Sequence, residues 1–270
     1  MRKVSKAKTK GGRPEVAGAA ILGRGRAGRA LARSLRAAGV HVVFLPRRGI
    51  GPLRTRPVDL LVLAVPDHAI RSQARRLAKG GARCALAFHL SGALDASVLE
   101  PLARRGAATA SFHPLRSFSG RPGEGFEGCA VAVEGDPKAT RAARALARRL
   151  GAWAWPIHPG HKPLYHAAAA LAAGGTATLT ELAAGLARRA GMPAGRATRA
   201  MADLAATAQQ NLARRGFRDG LTGPVARGDR STIALHRRAL SIDPAAARLH
   251  KLLVSQALRL LRVDRGRSGR

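Results

Sequence analysis

Three glycines, in the run Gly23-Arg24-Gly25-Arg26-Ala27-Gly28, close one apolar stretch, and Arg47 and Arg48 close the next one. A backbone free of side chains at such a turn can approach a diphosphate, and paired guanidiniums suit a further phosphate. Where a site for NAD carries an acid to hold the ribose hydroxyls, this chain has Pro46-Arg47-Arg48 and no acid between Glu15 and Asp59. The residues therefore predict a dinucleotide site that prefers NADP (NADPH), with Gly23, Gly25, Arg26, Gly28, Arg47 and Arg48 on the cofactor. In a chain with 31 glycines the bare pattern arises by chance roughly 0.4 times, so the surrounding elements must carry the reading.

Val16 to Leu22 reads as a buried strand. Ala27 to Ala38 reads as a helix with Leu31, Leu35 and Ala38 on one face, Arg29, Arg33 and Arg36 on the other, and Gly39 closing it. Val40 to Leu45 is a second strand, which puts the glycines in the first turn of a β-α-β unit. A third strand is expected within Asp59 to Asp67, its carboxyl end towards the cofactor, so that Val65 and Pro66 join the cofactor wall together with Ser91 after the next strand. Further strands are expected at Cys84 to His89, Ala107 to Phe112 and Cys129 to Val133. Crossing helices are expected at Ala69 to Lys79, Ala96 to Arg105 and Lys138 to Leu150. The fold class is α/β: residues 15–156 form a doubly wound, Rossmann-type parallel sheet, preceded by a basic disordered tail at 1–14.

From residue 157 to 270 the pattern turns all-helical. Met201, Leu204, Ala205, Ala208 and Leu212 make one stripe, and Leu249, Leu252, Leu253 and Leu260 another. Substrate is expected in the crevice between the two domains. Ala167 to Ala187 is apolar enough to be weighed as a membrane span, but Gly174-Gly175, three threonines and Glu181 point to a buried helix.

Aromatic residues make up 3% of the chain, so the interior is expected to rest on Ala, Leu and Val. The formal charge of +33 comes mostly from arginines scattered singly or in pairs over polar helix faces, as at Arg141, Arg144, Arg148 and Arg149. They do not interleave with aromatics as a base-stacking surface does, which argues against specific nucleic-acid binding. Cys84 and Cys129 lie in separate expected strands and read as reduced thiols, which implies a cytoplasmic location.

Several blocks occur in a telling order: Gly25-Arg26-Ala27-Gly28, Ala64-Val65-Pro66-Asp67, His89-Leu90-Ser91-Gly92, His113-Pro114-Leu115-Arg116-Ser117-Phe118, Tyr165-His166-Ala167-Ala168, and Leu221 to Asp229. Together they resemble the family of Rossmann-like proteins with a C-terminal helical domain of unknown function. Pyrroline-carboxylate reductase, ketopantoate reductase and the β-hydroxyacid dehydrogenases are related to that family. The resemblance implies that Lys162 and His166, one turn apart on a helical face, lie near the group being reduced. Either can supply a proton, His by its ordinary titration and Lys if burial and neighbouring cations lower it. The alternative for this pair is that Lys162 caps carbonyls and His166 makes a structural hydrogen bond. His113, Arg116 and Ser117 fall where the relatives hold substrate, with Arg116 placed to clamp a carboxylate. Thr222, Arg227 and Asp229 are implied in the active-site wall, where a partner subunit contributes in related reductases, although Asp229 can equally cap a helix. A homodimer is implied. One departure stands out: Ala173-Gly174 replaces a Ser-Asn pair of the family pattern.

These readings favour an NADP-dependent oxidoreductase delivering hydride to a C=O or C=N bond of a small anionic substrate, for which the resemblance permits a ketopantoate-like compound. The alternative is a catalytically silent NADP-binding sensor or scaffold. No metal site and no membrane association are expected.

Overall fold

A computed structural model describes residues 16–46 and 57–267. The basic tail and the Arg47-Arg48 pair lie outside the described residues. The chain forms two compact units divided between Ala170 and Leu171, and the helix that opens with Lys162 lies in the first.

The first unit is built on a sheet of seven strands: β1 (Gly18–Leu22), β2 (His41–Leu45), β3 (Val58–Leu63), β4 (Cys84–His89), β5 (Ala108–Pro114), β6 (Ala130–Gly135) and β7 (Trp153–Pro156). Their spatial order is β2-β1-β3-β4-β5-β6-β7. Helices α1 (Arg26–Ala37), α2 (Asp67–Lys79), α3 (Glu100–Ala103) and α4 (Pro137–Arg149) accompany it, and α5 (Lys162–Ala170) closes the unit. The strand order reverses at β1, with β2 on one side and β3 on the other, and the carboxyl ends of such a switch point form a ligand crevice.

Three details differ from the sequence reading. The sheet is mostly rather than wholly parallel, because β6 runs antiparallel to β5. The chain between them, residues 115–129, contains no crossover helix, and a strand that returns by a loop alone lies antiparallel to its neighbour. The expected helix over Ala96 to Arg105 is instead a 3₁₀ turn, Ala96–Leu99, followed by the short α3. Pro101 lacks an N–H, so it opens a new helical segment instead of continuing the first. Strand β7 was not anticipated.

The core contains the expected small aliphatics, with Ile21, Leu60, Leu61 and Leu63 inaccessible. It also contains an aromatic column that low aromatic content had hidden. Phe88 stacks on Phe112 (5.8 Å), Phe112 on Phe126 (6.0 Å) and Phe126 on Phe118 (5.6 Å), which pins the 115–129 loop onto the sheet.

The second unit holds a π-helical turn, Leu171–Gly175, and helices α6 (Thr176–Arg189), α7 (Ala194–Gly220), α8 (Pro224–Arg227), α9 (Arg230–Ala239) and α10 (Pro244–Arg267). Its leucines are mostly exposed: Leu204 is 63% accessible, Leu252 55% and Leu253 45%. The stretch from Ala167 to Ala187 is thus an interrupted and largely exposed helix in the single chain, not the buried one expected. Among the described residues, no helix is long and apolar enough to cross a membrane.

Candidate functional site

Strand β1 ends one residue before Gly23, whose φ of +112° is open to glycine alone at this close approach: a Cβ there would overlap the Ala64 carbonyl. A Cβ on Gly28 would sit 2.6 Å from the Gly23 oxygen, whereas one on Gly25 would meet open space. Gly23 thus allows the tight turn, Gly28 the close packing of helix on strand, and Gly25 leaves its backbone open to a ligand. Gly25 is also the N-cap of α1, with no side-chain cap and no acid in the first turn. The first amides and the positive end of the helix dipole are therefore left to an anion.

A cavity of about 440 Å³ opens at this turn. It gathers Gly25, Arg26, Gly28, Val65, Pro66 and Ser91 from the sequence-derived cofactor set. Ser117, assigned to substrate from the sequence, lines this same cavity beside Phe118. A diphosphate fits these groups. A larger cavity, about 650 Å³, lies near the other end of α1, but its guanidiniums are tied to backbone: Arg33 to the Glu124 carbonyl, Arg149 to those of Val16 and Ala38. Arg116 lines it too and donates to the carbonyls of Gly125 (3.0 Å) and Glu127 (2.9 Å), so it braces the 115–129 loop in place of the expected carboxylate clamp.

Beside the glycine cavity lies a second polar cluster, and Ser91 belongs to both. Its hydroxyl donates to Asp67 (2.8 Å), at the start of α2, and accepts from the amides of Ala93 and Leu94. Its carbonyl accepts from Lys162 Nζ (2.9 Å), which also donates to Ser111 Oγ (2.6 Å). Lys162 is only 1% accessible. Burial brings its pKa down to about 8, against the pull of Glu134, Asp67 and Asp95, which favour the charge. Burial, then, and not the neighbouring cations supposed from the sequence, is what lowers it.

One turn along α5, the His166 ring stands edge-on to that of His113, with centroids 5.9 Å apart. Both imidazoles press on Gly92: a Cβ there would strike His166 Nδ1 and lie 2.8 Å from His113 Nε2. His166 Nδ1 is buried without a hydrogen-bond partner. His113 Nδ1 is 2.7 Å from the Tyr165 hydroxyl, and the Tyr165 ring centroid is 5.7 Å from Lys162 Nζ. Burial, reinforced by the charges of Lys162 and His166, takes His113 down to about 4, and burial lifts Tyr165 to about 12. Below them His89 is wholly buried, accepting from the Ser91 amide at Nδ1 and facing the Asp95 carbonyl at Nε2 (3.1 Å each). It too is held down to about 4 by burial.

Thr222, Arg227 and Asp229 belong to the second unit. Thr222 and Arg227 are exposed, and Asp229 caps α9, accepting from the Thr232 amide (3.0 Å) and from the hydroxyls of Ser231 and Thr232 (2.7 Å each). These bonds hold its carboxyl well below the usual range. Ala173 and Gly174 lie in the π-helical turn.

Sequence reasoning missed Tyr165, Gly92, Ser111, His89 and Asp67. A signal existed for Tyr165, the chain's one tyrosine, and for Asp67, an acid directly after a strand-ending proline. Ser111 and Gly92 carried none, because their importance comes from side chains distant in sequence.

Comparison with known proteins agrees with this architecture. The chain is similar to a protein from Thermotoga maritima at 20% identity, over 92% of this chain and 99% of that one, with a TM-score of 0.75. A Bacteroides fragilis protein proposed to be an NADP oxidoreductase is 21% identical over 91% and 99%, with a TM-score of 0.71. Pyrroline carboxylate reductase of Plasmodium falciparum, solved with NADP bound, is 11% identical over 92% and 99%, with a TM-score of 0.58. At such identities the likeness is one of fold. No curated protein matches the chain. Residues 45–114 match a Rossmann-like domain and residues 129–257 match a domain of unknown function, DUF2520: the chain joins a Rossmann-like domain to a DUF2520 C-terminal domain.

Proposed function

We propose that this protein is an NADP-dependent oxidoreductase that reduces a C=O or C=N bond in a small anionic substrate. The observation that carries the reading is Ser91, which lines the glycine cavity and at the same time accepts a hydrogen bond from buried Lys162. A nucleotide-sized anion site and a cluster of proton-bearing groups are thereby fixed against each other. When bound, NADPH supplies the hydride. Gly25, Arg26 and Gly28 hold its diphosphate, Val65 and Pro66 flank it, and Arg47 and Arg48 favour the 2′-phosphate form. The likeness in fold to a reductase solved with NADP supports the cofactor class. The Lys162, His113, Tyr165 and His166 cluster orients substrate and provides the proton.

A homodimer through the second unit is part of the same reading, since its exposed leucines need cover. The second reading, a nucleotide-bound sensor without turnover, is favoured by Lys162 donating to Ser91 and Ser111 inside the protein and by Ala173-Gly174. Fluorescence titration with NADPH and NADH, followed by NADPH oxidation against keto acids and cyclic imines, separates the two. The reductase reading expects NADPH to bind more tightly and at least one substrate to turn over. Tight binding without turnover favours the sensor, and no binding overturns both.

A further inference from the structure

Lys162 is poorly placed to hand a proton to substrate. Its ammonium is buried and donates to the Ser91 carbonyl and the Ser111 hydroxyl, which leaves it as the tie between the loop after β4 and strand β5. Half-buried Tyr165 stands beside it, its hydroxyl against His113 Nδ1. Which of the two donates decides what the phenol can do.

Gly92 favours one direction. The Cβ position that both imidazoles crowd coincides in direction with a Cα–H bond of the glycine, so His166 Nδ1 and the Nε2–Cε1 edge of His113 both lie against a C–H group. A ring nitrogen with a lone pair is well placed there, in a weak C–H···N contact. His166 Nδ1 is buried there, and an N–H on it would have nothing to accept it, at a cost comparable to a lost hydrogen bond; His113 Nε2 lies against the same C–H and is likewise better served by a lone pair. The proton of neutral His113 therefore sits on Nδ1 and is donated to the Tyr165 oxygen. The phenolic proton is then free to point elsewhere.

Resting on the reductase reading above, we propose that Tyr165 is the acid of the reaction, and that the group reduced is a carbonyl. His113 and Lys162 are positioning residues: one donates to the phenolic oxygen, the other places a fixed positive charge beside the ring. In the step, hydride adds to the carbonyl carbon, the C=O π pair moves to oxygen, and the phenolic O–H breaks as the new alcohol O–H forms. The phenolate left behind is held by His113 Nδ1–H and the Lys162 charge, and is reprotonated by solvent after product leaves. A protonated imine brings its own proton and meets an unfavourable ammonium, so it has no use for this arrangement.

Nitrogen NMR of the histidines in the cofactor-free protein tests the pairing without turnover. His113 is expected to carry its proton on Nδ1, and a proton on Nε2 overturns the proposal. In kinetics, Tyr165→Phe is expected to lower carbonyl turnover by about 10²-fold or more with NADPH affinity unchanged. His113→Asn, which keeps a donor near the Nδ1 position, should retain more carbonyl turnover than His113→Phe. Wild-type carbonyl turnover in Tyr165→Phe refutes the acid role alone. Failure of the wild-type protein to oxidise NADPH with any substrate refutes the reductase reading as well, and the NMR result then stands by itself for the tautomer.

Discussion

Burial of His89 makes the protein sensitive to mild acid by an amount the structure sets. The imidazole is inaccessible, both ring nitrogens are engaged in a neutral arrangement, and its pKa falls from 6.5 to about 4. Below pH 6.5 the unfolded chain takes up a proton that the folded one refuses, so stability is lost as pH falls from 6.5 towards 4 and is fully present above that window. At about 1.4 kcal/mol per pH unit, the loss between pH 7.5 and pH 4.5 comes to about 2.5 kcal/mol from His89 alone. That is a large share of a typical stability of about 5–15 kcal/mol and corresponds to a melting point lower by about 5–10 °C. Urea unfolding at the two pH values measures it, with His89→Gln as the control that keeps an acceptor and a donor but cannot titrate. Nearby carboxylates, Asp67 and Asp95, contribute alike to both proteins, so the difference between their pH slopes isolates the histidine. Equal slopes, or a wild-type stability flat across this range, would refute the reasoning.

Three other outcomes follow from the site. Gly28→Ala places a methyl 2.6 Å from the Gly23 carbonyl, so NADPH affinity should fall by at least about tenfold while circular dichroism stays native; unchanged affinity excludes this turn as the cofactor site. Replacing Arg47 and Arg48 by Ala should weaken NADPH by about 10–100-fold and leave NADH nearly untouched, narrowing the preference measured by fluorescence titration. Leu252→Asp with Leu253→Asp should shift sedimentation from dimer to monomer, and a wild-type protein that sediments as a monomer would sink the dimer.

The sequence carried the first unit well because its strands are buried runs and its helices have clean apolar faces, from Ile21 through Leu63 to Phe88. The glycine turn was legible because the spacing Gly23-Gly25-Gly28 reports local backbone geometry. The antiparallel β6 was not, since strand direction depends on how residues 115–129 return, and that loop is held by Phe126 and Arg116, contacts with no local signature. The chemistry was half legible. Lys162 and His166 share a helix face and could be paired from their spacing, but the ammonium's burial depends on Ser91 from the loop after β4 and Ser111 from β5. Tyr165 sat between them in sequence and went unassigned because its partner, His113, is 52 residues away.

The excess of arginine is the property most easily misread from composition. With 48 basic and 15 acidic residues, most guanidiniums have no carboxylate to meet, and several meet backbone carbonyls instead. Arg33, Arg36, Arg116 and Arg149 all do so, and Arg149 joins the Val16 carbonyl ahead of β1 to the Ala38 carbonyl after α1, each at 2.7 Å. A planar fork presents two separated nitrogens, one to each of these carbonyls, and a lysine at this position would have only one nitrogen, on a shorter side chain, to offer them. Arg149→Lys keeps the charge and should still cost about 1.5–3 kcal/mol, the range for one hydrogen bond from a charged donor. Added salt should not restore it, because the lost partner is a carbonyl and not an opposing charge. In both proteins salt should raise the urea midpoint by screening the self-repulsion of a +33 chain, so the two midpoints move in parallel. A lysine variant as stable as wild type would mean that the charge alone matters at this position, and that these arginines are the solvated surface their number suggests.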